Sequence, residues 1–134
     1  MGSYVNPKSR LTAKIMKTMV TISLLLNIAV LIPVCSGIIT SASWALSSYG
    51  GESHTRGILL AVYISILITS AVLLMFRDPR PVAALLIVQI IYKLITPLTV
   101  GFQNPVVISN VLIAAFHTVT LLLIWKTIGN PFRA

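Results

Sequence analysis

The sequence predicts an all-α integral membrane protein, an antiparallel bundle of four helical spans forming a single domain. Three observations predict it. Of 134 residues, 57% are hydrophobic and only 9% are charged, against roughly a quarter charged in soluble domains. The apolar residues fall into four runs, each near the roughly 20 residues needed to cross a bilayer. The basic residues collect outside these runs, and four crossings bring nearly all of them to one side. The same figures exclude other classes. An intrinsically disordered chain would lack this apolar surface. A single cysteine, Cys35, excludes an internal disulfide framework and a cysteine-built zinc site. The only acids, Glu52 and Asp78, exclude paired-carboxylate hydrolysis and an all-protein calcium cage. The net charge of +8 does not point to nucleic acid, because the cations are sparse and sit between apolar runs.

The first span is expected over residues 18–38. A basic segment precedes it and Ser43-Trp44-Ala45 follows, the layout of a signal peptide. It is nevertheless expected to be retained, because its removal would leave three spans and spoil the charge asymmetry. Val34 is too bulky to precede a lipidated cysteine, so Cys35 is not expected to carry a lipid. The connection over 39–56 is rich in Ser and Gly and contains Trp44 and Tyr49. Those aromatics favour a bilayer interface, so this segment is either a short interfacial helix around Ser41 to Ser47 or an unstructured loop. The second span, 57–76, carries no charge. Arg77-Asp78-Pro79-Arg80-Pro81 is a tight polar turn, and Pro81 suits the first turn of a third span over 81–101. Gly101-Phe102-Gln103-Asn104-Pro105 is a second tight turn before the fourth span, 105–125. Short turns make neighbouring spans antiparallel.

Orientation follows from the cations. Lys8, Arg10, Lys14, Lys17, Arg77, Arg80, Lys126 and Arg133 fall on one side, and only Arg56 on the other. The positive-inside rule places both termini in the cytoplasm and the 39–56 connection outside.

Polar residues within a span each need an account. Gln89, Tyr92, Lys93 and Thr96 share one helix face by their i, i+3, i+4, i+7 spacing, as do Asn110, Ala114, His117 and Thr118. Ser23 and Asn27 are four residues apart. Gly57, Ala61, Ser65 and Thr69 form a ladder of small residues suited to close helix packing. Counting from the span ends puts Asn27, Gln89, His117 and Thr69 near one depth, with Lys93 roughly 6 Å further out. All four spans are thus expected to contribute to one inward polar layer. That layer is either hydrogen-bonded packing or a ligand site. His117 could be a structural partner, a haem ligand or a proton relay.

Lys93 is the exception. A charged lysine at a span centre costs roughly 2.5–3.5 kcal/mol even on mild scales, and no carboxylate lies within a span. It can snorkel, sit uncharged, bind an anionic ligand or lipid head group, or pair with an acid on another subunit. Pro97 deprives the Lys93 carbonyl of its helical partner and predicts a kink beside Lys93 and Tyr92.

Three roles fit these residues. The first is a non-enzymatic accessory subunit of a larger membrane complex, using Lys93 or the small-residue ladder. The second is a lipid-, quinone- or anion-binding membrane protein built on Lys93, Gln89, Tyr92, His117, Asn27 and Asn110. The third is a small transporter, which at this length would need to form a homo-oligomer; without an intramembrane acid cation export is not expected, whereas anions could pass Lys93. No cofactor is predicted outright. Haem would need a partner chain or a five-coordinate site, because one intramembrane His cannot supply both axial ligands and no Cys-x-x-Cys-His is present.

Four short spans, an extended first extracytoplasmic connection and the run Gln89-Ile90-Ile91-Tyr92-Lys93 resemble small bacterial membrane proteins of the DoxX-like kind. The resemblance implies a bacterial inner-membrane protein with a partner-dependent role in a membrane redox complex, including sulfur-compound to quinone electron transfer. The chain departs from that picture in having Cys35 alone. No catalytic residue carries over.

Overall fold

Three of the four long helices start with the same device. Asn6, Asp78 and Asn104 each precede a proline, and each side-chain oxygen accepts the backbone N–H two residues on, from Lys8, Arg80 and Val106. The side chain satisfies a free helix donor, and the proline has none to leave unsatisfied. Ser53 caps the remaining long helix by accepting from Arg56 N. The computed structural model describes residues 4–133. Its helices are α1 (Pro7–Ile39), α2 (Ser43–Tyr49), α3 (His54–Phe76), α4 (Pro79–Val100) and α5 (Pro105–Ile128).

All but α2 are long and apolar enough to cross a membrane. Their bounds differ from the expected spans in instructive ways. α1 begins at Pro7, so the basic residues 8–17 are helical and the helix is about 50 Å long. The third long helix begins at Pro79, not Pro81, because Asp78 is its cap; Pro81 falls in the first turn, where its missing N–H is not needed. The connection contains a helix at Ser43–Tyr49, two residues later than expected. α4 continues through Pro97 to Val100, and α1 likewise contains Pro33.

Helix ends rely on left-handed backbone. Gly101 and Gly129 close α4 and α5 with φ of 89° and 77°. α3 instead ends on Arg77 at φ 55°, ψ 26°, a conformation costing a side-chain-bearing residue about 1–2 kcal/mol.

α1 is the hub. It packs along α3 and α5, and α5 packs along α4. The backbones of α3 and α4 approach closely at few places although a two-residue turn joins them, and both helices send side chains into shared apolar clusters. One end of the bundle gathers the start of α1, the α3–α4 turn and the end of α5. The other gathers α2 and the α4–α5 turn.

Two apolar clusters fill the interior. Met16, Val20, Leu24, Val82, Ala83, Leu86 and Ile124 pack at the basic end, and Leu31, Cys35, Ile38, Ala45, Tyr63 and Ile66 toward α2. The outside is just as apolar: Ile68, Leu98, Leu112 and Leu122 are each more than half exposed.

Candidate functional site

Between the two clusters every long helix contributes a polar side chain. Asn27 of α1 is at the centre. Its Nδ2 donates to Ser70 Oγ of α3 at 3.0 Å and to Gln89 Oε1 of α4 at 2.8 Å. Its Oδ1 accepts from Gln89 Nε2 at 3.1 Å and pairs with His117 Nε2 of α5 at 2.9 Å. With the amides in this orientation Nε2 must carry the imidazole proton, because the oxygen has none to give. His117 is fully buried, and its Nδ1 is then a bare acceptor without a partner among the described residues. One turn toward the basic end, Ser23 and Thr120 hydroxyls meet at 2.7 Å. This layer is nearly satisfied from within, and each of its bonds ties one helix to another.

Lys93 lies one turn toward α2, and its surroundings differ. It is buried, with its ammonium donating to Asn110 Oδ1 at 3.1 Å and lying 4.9 Å from the Tyr92 ring centroid. Neither acid of the chain can neutralise it. Asp78 is occupied in capping α4 at the basic end, and Glu52 sits at the rim beyond α2 with Ser53 and Arg56. The side chain is therefore directed into the bundle rather than along its outer surface.

Asn110 and Tyr92 also line a cavity of about 170 Å³ that runs up to α2. Tyr49 of α2, Tyr63 of α3 and Tyr92 of α4 form its aromatic walls, with Thr96 and Asn104 adding polar groups. Tyr49 and Tyr63 meet edge to face, 6.0 Å between centroids. Burial pushes the Tyr49 phenol up, with Tyr63 adding to the effect, so its hydroxyl keeps its proton. A second cavity of about 350 Å³, between Val30 and Val34 of α1 and Ser109 and Ile113 of α5, reaches Asn110 from the other side of α2.

α2 is held over both cavities by three ties. Asn104 Nδ2 donates to Ser48 O at 2.8 Å. Trp44 packs on Gly37, where a Cβ would collide with the indole ring. Arg56, buried, donates to Gly50 O at 3.0 Å, Ile38 O at 3.3 Å and Ser41 Oγ at 3.0 Å. One guanidinium thus serves the carbonyl-rich ends of two helices, where a cation is favoured.

The structure brings together Asn27, Gln89 and His117 in one network and Lys93, Asn110 and Tyr92 in another. It separates the small-residue ladder from both. Gly57, Ala61, Ser65 and Thr69 all lie on the exposed face of α3, and Ser65 donates to its own Ala61 O. Among the described residues the ladder is exposed, and nothing lies within 4 Å of a Cβ placed at Gly57. α3 turns Tyr63, Ile66 and Ser70 inward instead, and the expected depth of Thr69 is filled by its neighbour Ser70. Thr96 and Thr118 are half-buried and donate to carbonyls of their own helices. Pro97 is half-buried near the cavity end of α4. Sequence reasoning missed Ser70, Thr120, Tyr63 and the clamp made by Arg56. The i, i+3, i+7 spacing of Tyr63, Ile66 and Ser70 was the available signal.

No family model, curated protein or solved structure matches the chain.

Proposed function

We propose that the chain is an integral protein of a bacterial plasma membrane that binds a small molecule at Lys93 without transforming it. The four long helices would span the bilayer in alternating directions, with the basic end in the cytoplasm. Supporting this, large apolar side chains are exposed on all four long helices, which water would penalise and lipid would not. The one cation at the other end that could oppose this orientation, Arg56, is spent on helix ends.

The observation that carries the binding reading is Lys93 itself. It is a buried cation whose hydrogen-bond partner, Asn110, lines the tyrosine-walled cavity together with Tyr92. A cation in such a place calls for acceptor oxygens, and the chain supplies a single amide. A ligand presenting an anionic or carbonyl oxygen completes the set, and a flat body suits the tyrosine walls. A quinone has both properties, and the DoxX-like resemblance points toward quinone-linked systems.

The test uses decylubiquinone as the probe and the purified chain in mild detergent, followed by quenching of intrinsic fluorescence. Saturable binding is expected, weakened about tenfold or more in Lys93→Met through loss of a charge-assisted hydrogen bond. The variant should keep its helicity and be as stable or more so, since an apolar side chain replaces a buried charge. Unchanged binding by a folded Lys93→Met would remove the site.

A second reading is favoured by the ladder on α3. Gly57, Ala61, Ser65 and Thr69 face outward, where small residues let another membrane helix approach closely. This suits an accessory subunit or a homo-oligomer. A stoichiometric protein partner in native mass spectra after extraction from its own membranes would establish it.

A further inference from the structure

A groove at the basic end remains outside both polar networks. Ala13, Met16, Lys17 and Val20 of α1 form one wall, Arg77 and Pro79 of the α3–α4 turn another, and Ile128 of α5 closes it, around about 490 Å³. Its floor is apolar: Met16 and Val20 are buried and continue into the cluster of Leu24, Leu86 and Ile124. Its rim is cationic: Lys17 and Arg77 are exposed.

Arg77 is held there under strain. It occupies a left-handed backbone position at φ 55°, ψ 26° that glycine adopts freely; among the described residues Ser41 is the other non-glycine at positive φ. Its Nε donates to Leu74 O at 3.2 Å, leaving the outer guanidinium N–H groups for another acceptor. The one carboxylate nearby, Asp78, is turned to Arg80 N at 3.0 Å.

We infer that this groove binds an anionic phospholipid, its phosphate held by Lys17 and Arg77 and its acyl chain entering over Met16 and Val20. The inference rests on reading the four long helices as spans. A fork of guanidinium donors matches phosphate oxygens, and an apolar floor beneath two cations matches a charged head joined to a chain. A soluble anion would gain nothing from that floor. Position agrees as well: α3 ends at Phe76, α4 starts at Pro79 and α5 ends at Ile128, so the groove lies at the level where apolar helices give way to the headgroup region.

The experiment is native mass spectrometry of the full chain in detergent, titrated with phosphatidylglycerol or phosphatidylcholine of the same chain length. Phosphatidylglycerol should be retained in preference to phosphatidylcholine. Arg77→Gly, which keeps the turn and removes the strain, and Lys17→Gln should each weaken phosphatidylglycerol binding roughly fivefold. Lys14→Gln and Arg80→Gln, outside the groove, should leave it nearly unchanged. Equal losses in all four variants would overturn the site in favour of a diffuse surface field. Equal retention of the two lipids would overturn charge recognition, and displacement by glycerol phosphate would replace the lipid by a soluble phosphate. Carbonate washing of membranes separates the underlying reading: a chain that washes out has no spans, whereas one that stays but shows no lipid preference has spans and no such groove.

Discussion

The two halves of the bundle are built to different rules. Toward the basic end, Leu24, Val82, Ala83, Leu86 and Ile124 have no exposed surface, and the buried polar groups among them, Ser23 and Thr120, bond to each other across the helices. Toward α2, the interior holds Lys93 and a cavity lined by its partner Asn110 and three tyrosines, under a seven-residue helix tied on from outside. The amide network of Asn27 lies between them. Stability and an open interior are thus assigned to opposite ends of the bundle. The packed half gives the fold its stability. The open half forgoes close packing and depends on caps and clamps to hold its shape.

Removing the same atoms from each half should affect the two unequally. Leu86→Ala leaves a void in the packed half and should cost about 2–5 kcal/mol. Leu59→Ala, on the wall of the existing cavity, should cost well under half of that, because the space it opens joins space already there. Thermal unfolding in detergent, followed by circular dichroism, checks both. Equal losses would mean that the cavity half is as tightly dependent on packing as the other.

Arg56→Met tests the clamp next. It deletes donors to Gly50, Ile38 and Ser41, and bonds from a charged donor are worth roughly 1.5–3 kcal/mol. We expect about 2 kcal/mol of lost stability. Limited proteolysis should then cut within the α1–α3 connection while the rest of the chain stays protected. Cleavage at the α3–α4 turn instead would show that the clamp holds the whole bundle.

Some of this was legible in the sequence and some was not, for physical reasons. Four apolar runs separated by Pro- and Gly-containing turns announce four long helices, because length and polarity alone decide that. Asn104-Pro105 marks the start of α5 in both views. The equivalent Asp78-Pro79 is masked by the nearby Pro81, so the sequence reading starts α4 two residues late. Faces were harder. Gln89 and Lys93 stand out on α4 because polar residues there are few and periodic. On α3 small and apolar residues occur all around the helix, so periodicity cannot say whether Thr69 or Ser70 turns inward, and the ladder reading chose the outer face. Depth depends only on counting along the chain, whereas facing depends on which helices become neighbours. The cavity below α2 is enclosed by residues of α2, α3, α4 and α5 that only the tertiary pairing of the helices brings together, and it has no signature in local sequence.

A smaller change is expected at the contact between α1 and α2. Gly37 lies under Trp44, and an added methyl would meet the indole directly. Overpacking of this kind costs about 1–3 kcal/mol when nothing can move. Here α2 can move, being short and held by few ties, so Gly37→Ala should lower global stability by only about 1 kcal/mol or less. Its main effect should be to lift α2 away from α1. Trp44 fluorescence should change in intensity and become easier for acrylamide to quench, with Trp125→Phe as the background in which Trp44 is the only indole. If α2 covers the cavity as the ties of Ser48 and Gly50 suggest, the same substitution should speed both entry and release of decylubiquinone with little change in the equilibrium. A change in affinity without a change in rates would mean that α2 is part of the binding surface and not a cover over it.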